Sequence, residues 1–316
     1  MPEVRQDSLL GHWVIIAPER ALRPIELVAE VVQSLERCPF CRGHEDATPD
    51  AVLVVPTDSS DAPSAESDWS VRVVPNRYPA VVGQHEVIIE APTHETSLAR
   101  VSDDQFTRIA TAYRSRLRTI RELGQSPHVS LFKNSGAAAG ASLQHVHSQL
   151  IATPFVSENV ARKLAAGADY WRRTGGCAWC ELIERERTAG QRLVFETAGF
   201  SVLCPFASRF AAELLIVPRR HAAHFDHLSD DDLHDFSCVL RSCLARLENY
   251  LPGAAYNVVF QTAPFAHDGS SSFHWHVEIL PRINGLAGFE VGSGNAINTI
   301  PPEVAAVELR QAARGF

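Results

Sequence analysis

Two histidines and a glutamine alternate along one short segment of the chain, His145-Val-His147-Ser-Gln149. On a β-strand, residues two positions apart point to the same face, so these three side chains would lie in one row. Neutral imidazole is a competent nucleophile toward phosphorus near neutral pH, because much of it is unprotonated there. A glutamine amide can donate to a phosphate oxygen but offers no acid to a water molecule. The segment therefore predicts covalent phosphorus chemistry at His147, with Gln149 beside it and His145 placed to bind metal.

A loop of small residues, NSGAAAGAS at 134–142, precedes this segment. Small residues let backbone N–H groups approach a phosphate closely, and Asn134 and Ser142 can add side-chain hydrogen bonds. A zinc-dependent binding protein without chemistry would have no reason to place His147 and Gln149 beside such a loop. A dinucleotide hydrolase is disfavoured, because a third histidine at the position of Gln149 would be expected there.

Four of the seven cysteines form two Cys-x-x-Cys pairs, and histidines follow each pair at similar distances. Two thiolates with two imidazoles suit a tetrahedral structural zinc ion. A redox pair would be expected at the start of a helix, whereas these pairs are predicted to lie in turns. His224 and His227 are nearby alternatives to His221, which the repeat register selects. The predicted ligands are Cys38, Cys41, His94 and His145 at one site, and Cys177, Cys180, His221 and His274 at the other. We expect about two zinc ions per chain, with iron left open at the second site.

The spacing of these landmarks repeats along the chain. The interval from a glutamate to a histidine is 8 positions in both halves, the next interval to a serine is again 8, and the interval from that histidine to the His-x-His motif is 51 or 53. The matched residues are Glu86, His94, Ser102 and His145 in the first half, and Glu213, His221, Ser229 and His274 in the second. We infer a gene duplication, with halves near 1–155 and 165–316.

Each half also predicts the same elements. A helix after Ser102 has a capping box with Gln105 and a terminal Gly124, and a second helix follows Ser229. Strand-like runs surround both helices: VRVVP, EVIIE and VSLFKN in the first half, and SVLC, ELLIV and YNVVFQ in the second. Paired runs before each helix predict hairpins. The predicted fold class is α+β, with antiparallel sheets and flanking helices.

Composition restricts the class of protein. The chain has 316 residues and a formal net charge of −8, which argues against broad nucleic-acid binding, since that requires excess positive charge. No apolar run reaches the ~18 residues that a membrane helix needs, and the first residues contain no apolar signal-peptide core. An odd number of cysteines, two pairs of them in metal-like motifs, favours the reducing cytoplasm.

These residues resemble the galactose-1-phosphate uridylyltransferase family of the histidine-triad superfamily. The resemblance spans nearly the whole chain and includes GHWVIIAPERALRP, CPFC, VRVVPNRYPAV, GQHEVIIEAPTHE, NSGAAAGAS, HVHSQ and FEVGSGNAIN. It implies a duplicated histidine-triad-like fold and a homodimer whose active sites borrow residues from the partner. It also implies that His147 is the nucleophile and that Gln149 stabilises the nucleotidylated state. The nucleotide site would be lined by Asn76, Arg77, Asn134, Gly140 and Ser142.

The motifs also depart from the commonest family pattern. Val146 and Ser148 stand where proline and glycine are usual, and the Tyr-Glu pair expected to hold galactose is absent. The second Cys-x-x-Cys pair and FEVGSGNAIN resemble the plant ADP-glucose phosphorylases instead. His276 is followed by Glu278 rather than glutamine, so the second half is expected to be structural, with a degenerate site.

The predicted function is nucleotidyl transfer between a nucleoside-diphosphate hexose and a hexose 1-phosphate, by a ping-pong mechanism. Within the resembled family this is UDP-glucose–hexose-1-phosphate uridylyltransferase activity, which belongs to galactose metabolism. The alternative is a nucleoside-diphosphate-sugar phosphorylase, such as an ADP-glucose phosphorylase, which uses phosphate as the acceptor. The sequence leaves open the base, uracil or adenine, and the sugar.

Overall fold

The computed structural model describes residues 2–22, 37–57, 68–81, 83–267, 271–285 and 287–313. The strands within these ranges are β1 (Glu3–Gln6), β2 (Trp13–Ile16), β3 (Leu53–Pro56), β4 (Trp69–Pro75), β5 (His85–Ile89), β6 (His128–Ser135), β7 (His147–Thr153), β8 (Leu193–Glu196), β9 (Phe200–Leu203), β10 (Leu214–Pro218), β11 (Tyr256–Gln261), β12 (His276–Pro281) and β13 (Ala296–Asn298). The α-helices are α1 (Asp103–Leu123), α2 (Glu158–Thr174), α3 (Ala178–Ala189), α4 (Asp230–Tyr250), α5 (Gly288–Ser293) and α6 (Pro302–Gln311).

Ten of these strands form one antiparallel sheet, in the order β3-β4-β5-β7-β6-β11-β12-β10-β9-β8. Counted outward from the centre, the order is β6-β7-β5-β4-β3 on one side and β11-β12-β10-β9-β8 on the other, so each strand has a counterpart in the other half. β6 and β11 are counterparts and pair with each other. Helices flank the sheet. The predicted α+β class with antiparallel sheets is confirmed. The predicted division into halves near 1–155 and 165–316 stays a proposal, which the matched strand orders support.

The N-terminal strands pack on the second half of the chain. β2 pairs with β1 and, in parallel, with β13, so that Ile15 lies opposite Ile297. The Arg5 guanidinium, which is 8% exposed, bonds to Glu303 of α6 at 3.0 Å. β1 and β2 therefore pack with β13 and α6.

The two long helices form where the sequence predicts them. Ser102 caps α1 by accepting from the Gln105 backbone N–H, and Gly124 ends the helix in the left-handed region at φ 63°. Ser229 caps α4 in the same way, by accepting from Asp232. The buried faces of both helices join the sheet in the largest apolar cluster, in which each large side chain contributes about 1.5–3 kcal/mol. None of the helices in the described ranges is long and apolar enough to cross a membrane.

The sheet register corrects one of the sequence intervals. Val87 lies opposite Gln149, and Leu215 lies opposite Glu278. His85 lies two positions before Val87, and Glu213 lies two positions before Leu215. The residue that matches Glu213 in the sheet is therefore His85, and the match with Glu86 is wrong by one residue. The equal intervals of 8 positions pointed to Glu86 because the loop from this strand to the next histidine is one residue shorter in the second half.

Candidate active site and metal centres

The first candidate metal centre joins three distant parts of the chain. The four ligand atoms of Cys38, Cys41, His94 and His145 lie within 4.8 Å of one another. Cys38 Sγ is 3.5 Å from His145 Nδ1, and Cys41 Sγ is 3.7 Å from both His94 Nδ1 and His145 Nδ1. Bond lengths of about 2.3 Å to sulfur and 2.0–2.1 Å to nitrogen give a tetrahedral S···N edge of about 3.6 Å. The donor set and its spacing therefore fit one zinc-sized ion.

A hydrogen bond orients the central histidine of this centre. His145 Nε2–H donates to the Ala91 carbonyl at 2.9 Å, which leaves Nδ1 unprotonated and facing the thiols. Burial lowers the pKa of His145 to about 4, so the ring is neutral near pH 7. A neutral ring with a free lone pair is what metal coordination requires.

The second cluster has the same composition. The ligand atoms of Cys177, Cys180, His221 and His274 also lie within 4.8 Å of one another. Cys180 Sγ is 3.7 Å from His221 Nδ1 and 3.6 Å from His274 Nδ1. One expectation is wrong here: Cys177 is the N-cap of α3, so this pair begins a helix rather than lying in a turn. The two imidazoles beside it still distinguish it from a redox pair.

The candidate nucleophile begins β7, two residues beyond the metal-facing histidine. His147 is 5% exposed, and its Nδ1–H donates to the His145 carbonyl at 2.8 Å. The remaining nitrogen, Nε2, therefore carries the lone pair. Burial, and next the Lys133 ammonium, lower the pKa of His147, which keeps the ring neutral. Phe40, between the first two cysteines, packs edge-on at 5.3 Å and limits rotation of the ring.

A buried ion pair supports the backbone of this strand from the other face of the sheet. Lys133 Nζ donates to the His147 carbonyl at 3.0 Å and to Glu90. The Glu90 carboxylate, which is fully buried, also accepts from the hydroxyls of Tyr113 and Ser148. Sequence reasoning did not single out this ion pair, although Lys133 and Glu90 are charged residues within apolar strand-like runs.

Gln149 lies on the same face of β7 as His147, because the intervening Ser148 points to the opposite face. Its Oε1 is 2.9 Å from His85 Nε2, and that nitrogen is 3.1 Å from Asn76 Nδ2. The structure thus brings Asn76 and Gln149 together through a histidine that sequence reasoning did not single out.

The loop of small residues closes against the end of β6. Asn134 Oδ1 accepts from Asn257 of β11 at 2.8 Å. Gly140 is in the left-handed region at φ 86°, and a Cβ there would lie 3.7 Å from Asn134 Nδ2. Ser142 and Arg77 are both exposed, and within the described residues neither hydrogen-bonds to the proposed catalytic side chains.

The second half has a histidine in the matching position but a different environment. His276 Nδ1–H donates to the His274 carbonyl at 2.9 Å, as in the first half. Its Nε2, however, accepts from Lys163 of α2 at 2.8 Å, and the same ammonium bonds to Glu278 at 2.8 Å. Burial, and next the Lys163 charge, lower the pKa of His276 well below its usual range. The Nε2 lone pair of His276 is therefore occupied by the Lys163 ammonium.

Comparison with known proteins finds relatives that match nearly the whole chain. A family model described as the N-terminal domain of galactose-1-phosphate uridyl transferase matches residues 72–157, and a model for a domain of unknown function matches residues 117–312. A galactose-1-phosphate uridylyltransferase of Thermotoga maritima is 30% identical over 98% of this chain and 98% of its own length. This chain belongs to the galactose-1-phosphate uridylyltransferase family.

Another relative carries a different activity. An ADP-glucose phosphorylase of Arabidopsis thaliana is 31% identical over 98% of this chain and 93% of its own length. A crystal structure of an Arabidopsis ADP-glucose phosphorylase with bound ADP-glucose superimposes with a TM-score of 0.86 over 98% of both chains. As a member of the uridylyltransferase family, the protein is an enzyme of the nucleotidyltransferase type.

Proposed function

We propose that the protein transfers a nucleoside monophosphate from a nucleoside-diphosphate hexose to a hexose 1-phosphate through a covalent bond to His147. The supporting observation is the hydrogen bond from His147 Nδ1 to the His145 carbonyl, at 2.8 Å. It fixes the tautomer whose Nε2 lone pair is free to attack phosphorus. The activity proposed first is that of a UDP-glucose–hexose-1-phosphate uridylyltransferase in galactose metabolism.

The reaction has two displacements. In the first, Nε2 of His147 attacks the α-phosphorus, an N–P bond forms, and the P–O bond to the β-phosphate breaks, so hexose 1-phosphate leaves. In the second, a phosphate oxygen of the acceptor attacks the same phosphorus, and the bond to His147 breaks. Gln149 donates from its amide to a non-bridging oxygen in both steps, which lowers the energy of the developing charge.

We propose that the nucleotide binds at the loop 134–142 and at the strand ends around His147 and Gln149. Gly140 lets the loop backbone approach phosphate oxygens closely, because glycine has no Cβ and readily adopts the left-handed φ found there. The other side chains offer amide, guanidinium and hydroxyl donors: Asn76, Arg77, Asn134 and Ser142.

We propose zinc at both Cys2His2 clusters, supported by S···N distances of 3.5–3.9 Å. Bound zinc would supply a structural cross-link between the Cys-x-x-Cys segment and the strand that follows His145. The same neighbourhood then holds Phe40 against His147. No step of the proposed chemistry passes through the metal.

A second candidate is ADP-glucose phosphorylase activity, in which inorganic phosphate accepts the nucleotide. The similarity to the Arabidopsis phosphorylase, 31% identity and a TM-score of 0.86, favours it. The first displacement is common to both candidates, so only the base and the acceptor distinguish them.

Intact mass spectrometry tests both candidates. The protein is incubated separately with UDP-glucose and ADP-glucose, and the mass of the adduct identifies the nucleotide. The labelled protein is then treated with galactose 1-phosphate or with inorganic phosphate. Release by the sugar phosphate supports the transferase, and release by phosphate alone supports the phosphorylase. Absence of a nucleotide adduct with both donors would reject the proposed function.

We also propose a homodimer in the cytoplasm. Family membership supports the dimer, as do the apolar side chains of Phe289 and Val291, which are 45% and 76% exposed in α5. Thiolate ligands require reduced cysteines, which supports the compartment. Light scattering on the purified protein should give twice the chain mass, and a mass equal to one chain would reject the dimer.

A further inference from the structure

His85 is a buried histidine for which the proposed reaction has so far given no role. It begins β5, is 7% exposed, and lies between the two amide side chains of Asn76 and Gln149. A buried imidazole with defined partners on both ring nitrogens is a rigid group, because each hydrogen bond fixes one nitrogen as donor or acceptor.

The backbone determines which tautomer His85 adopts. The Ala80 backbone N–H lies 3.0 Å from His85 Nδ1. A backbone amide can only donate, so Nδ1 is unprotonated and the proton is on Nε2. Asn76 Oδ1 accepts from the Tyr78 backbone N–H at 2.8 Å, so Asn76 turns its NH2 group toward His85 and cannot accept from it. The 3.1 Å contact between Asn76 Nδ2 and His85 Nε2 then joins two donors and is not a hydrogen bond.

Gln149 is then the acceptor for the His85 proton. The distance from His85 Nε2 to Gln149 Oε1 is 2.9 Å. Because the oxygen of the amide is held by His85, the NH2 group of Gln149 is turned away from it and remains available as a donor. With the opposite orientation, the carbonyl oxygen of Gln149 would face an anionic phosphate oxygen and repel it.

We propose that His85 is a positioning residue that sets the amide orientation of Gln149, so that Gln149 presents its NH2 group to the transferred phosphoryl group. This inference rests on the proposed function of Gln149. It adds a chain of hydrogen bonds from the Ala80 backbone through an imidazole to the amide, which defines the donor before substrate arrives.

The second half provides an internal comparison. There Glu278 replaces the glutamine, and Glu213 occupies the strand position that matches His85. Arg209 Nη2 joins the two carboxylates, at 3.0 Å to Glu213 and 3.2 Å to Glu278. In the half where Lys163 blocks the histidine, both the glutamine position and the position of His85 hold a glutamate. This is expected if the residue at the position of His85 serves to orient the glutamine.

The kinetic test is a double-mutant cycle on the rate of nucleotidyl-enzyme formation, measured by quenched intact mass with whichever of UDP-glucose and ADP-glucose labels the wild type. His85→Leu should slow labelling by roughly 10- to 100-fold, with little change in the half-saturating substrate concentration. His85→Gln keeps a donor near the position of Nε2 and should recover most of that loss. In a Gln149→Ala background, His85→Leu should cost less than about twofold more, because residues that act as one unit are not additive.

His128→Leu is the matched control. His128 is 2% exposed in β6, which pairs with β7, and no side chain of the described residues hydrogen-bonds to its ring nitrogens. This variant should label at the wild-type rate. Equal slowing by His128→Leu, or a full additional loss from His85→Leu in the Gln149→Ala background, would overturn the positioning role.

A spectroscopic test is independent of activity. Long-range proton–nitrogen spectra of protein labelled with ¹⁵N-histidine report the tautomer of each ring, and His85→Gln assigns the His85 signals. The expected result is a proton on Nε2 and none on Nδ1. A proton on Nδ1 would overturn the inference even if the enzyme is active. If neither nucleotide sugar labels the wild type, the proposed function fails while this spectrum still decides the orientation of the His85–Gln149 pair.

Discussion

At the scale of single residues, the proposed chemistry depends on which ring nitrogen of His147 is free. The hydrogen bond to the His145 carbonyl commits Nδ1, and burial lowers the pKa of the ring, so the neutral form with the lone pair on Nε2 is stabilised. A histidine on the same strand without that acceptor would sample both tautomers and lose part of its reactivity.

His147→Gly should abolish nucleotide labelling and turnover, a loss of at least roughly 10³-fold, because it removes the atom that forms the covalent bond. The fold should persist, since glycine leaves a cavity at the substrate side of the sheet rather than in the main core. Intact mass and circular dichroism measure the two effects. Activity above a tenth of the wild-type value would contradict the assignment.

At the scale of the elements, the start of β7 lies next to a candidate metal centre. β7 begins at His147, and His145, whose ligand atom lies within 4.8 Å of those of Cys38, Cys41 and His94, stands just before the strand. A metal ion bound there would hold the segment that leads into the proposed nucleophile.

Cys38→Ser should remove about one of two metal equivalents and lower the apparent Tm by roughly 5–10 °C, because structural metal binding contributes directly to folding. Elemental analysis and calorimetry provide the measurements. Cys238→Ser is the control, since that thiol is outside both clusters and should leave the metal content unchanged. A wild-type content below half an equivalent of any metal would refute the metal assignment.

The ion pair between Lys133 and Glu90 should contribute strongly to the stability of the central strands. Lys133 is 3% exposed and Glu90 is fully buried, so Lys133→Met leaves an uncompensated buried charge and should cost about 3–5 kcal/mol. Urea unfolding measures the change. Adding Glu90→Gln to this variant should recover a large part of the loss, and a single-variant effect below about 1 kcal/mol would show that the pair is not needed.

At the scale of the whole molecule, two similar halves share one sheet, but the environments of their matching histidines differ. His147 and His276 have the same backbone acceptor geometry. Only His276 is blocked, by an ammonium group that lies between it and a carboxylate. The second half therefore keeps the backbone arrangement around its histidine, while Lys163 occupies the ring nitrogen that corresponds to the proposed attacking nitrogen of His147.

Nucleotide labelling should accordingly saturate near one per chain. His276→Ala should leave that stoichiometry unchanged, because the Lys163 ammonium already occupies its Nε2. His147→Gly should reduce it to nothing. A reproducible doubly nucleotidylated species in the intact mass spectrum would show that the second half also reacts.

The sequence by itself determined the features that depend on local spacing. The placement of His147 and Gln149 on one face of β7, the two Cys2His2 sets, and the caps of α1 and α4 all follow from period and position along the chain. Such features can be predicted because strand and helix geometry relate side chains a few residues apart. The expected place of His145 in the same strand is wrong, because β7 begins at His147. Among neighbouring histidines the repeat also selected His221, which lies in the second Cys2His2 cluster.

Only the tertiary structure decided the features that depend on pairing between distant strands and helices. The one-residue shift that matches His85 with Glu213 comes from sheet register, which sequence intervals do not encode. The contact of Lys163 with His276 requires α2 to lie against β12, 113 residues away in the chain. Hydrogen bonds between such residues are set by packing, and for this reason the contact that blocks His276 and the contact of His85 with Gln149 emerged only from the fold.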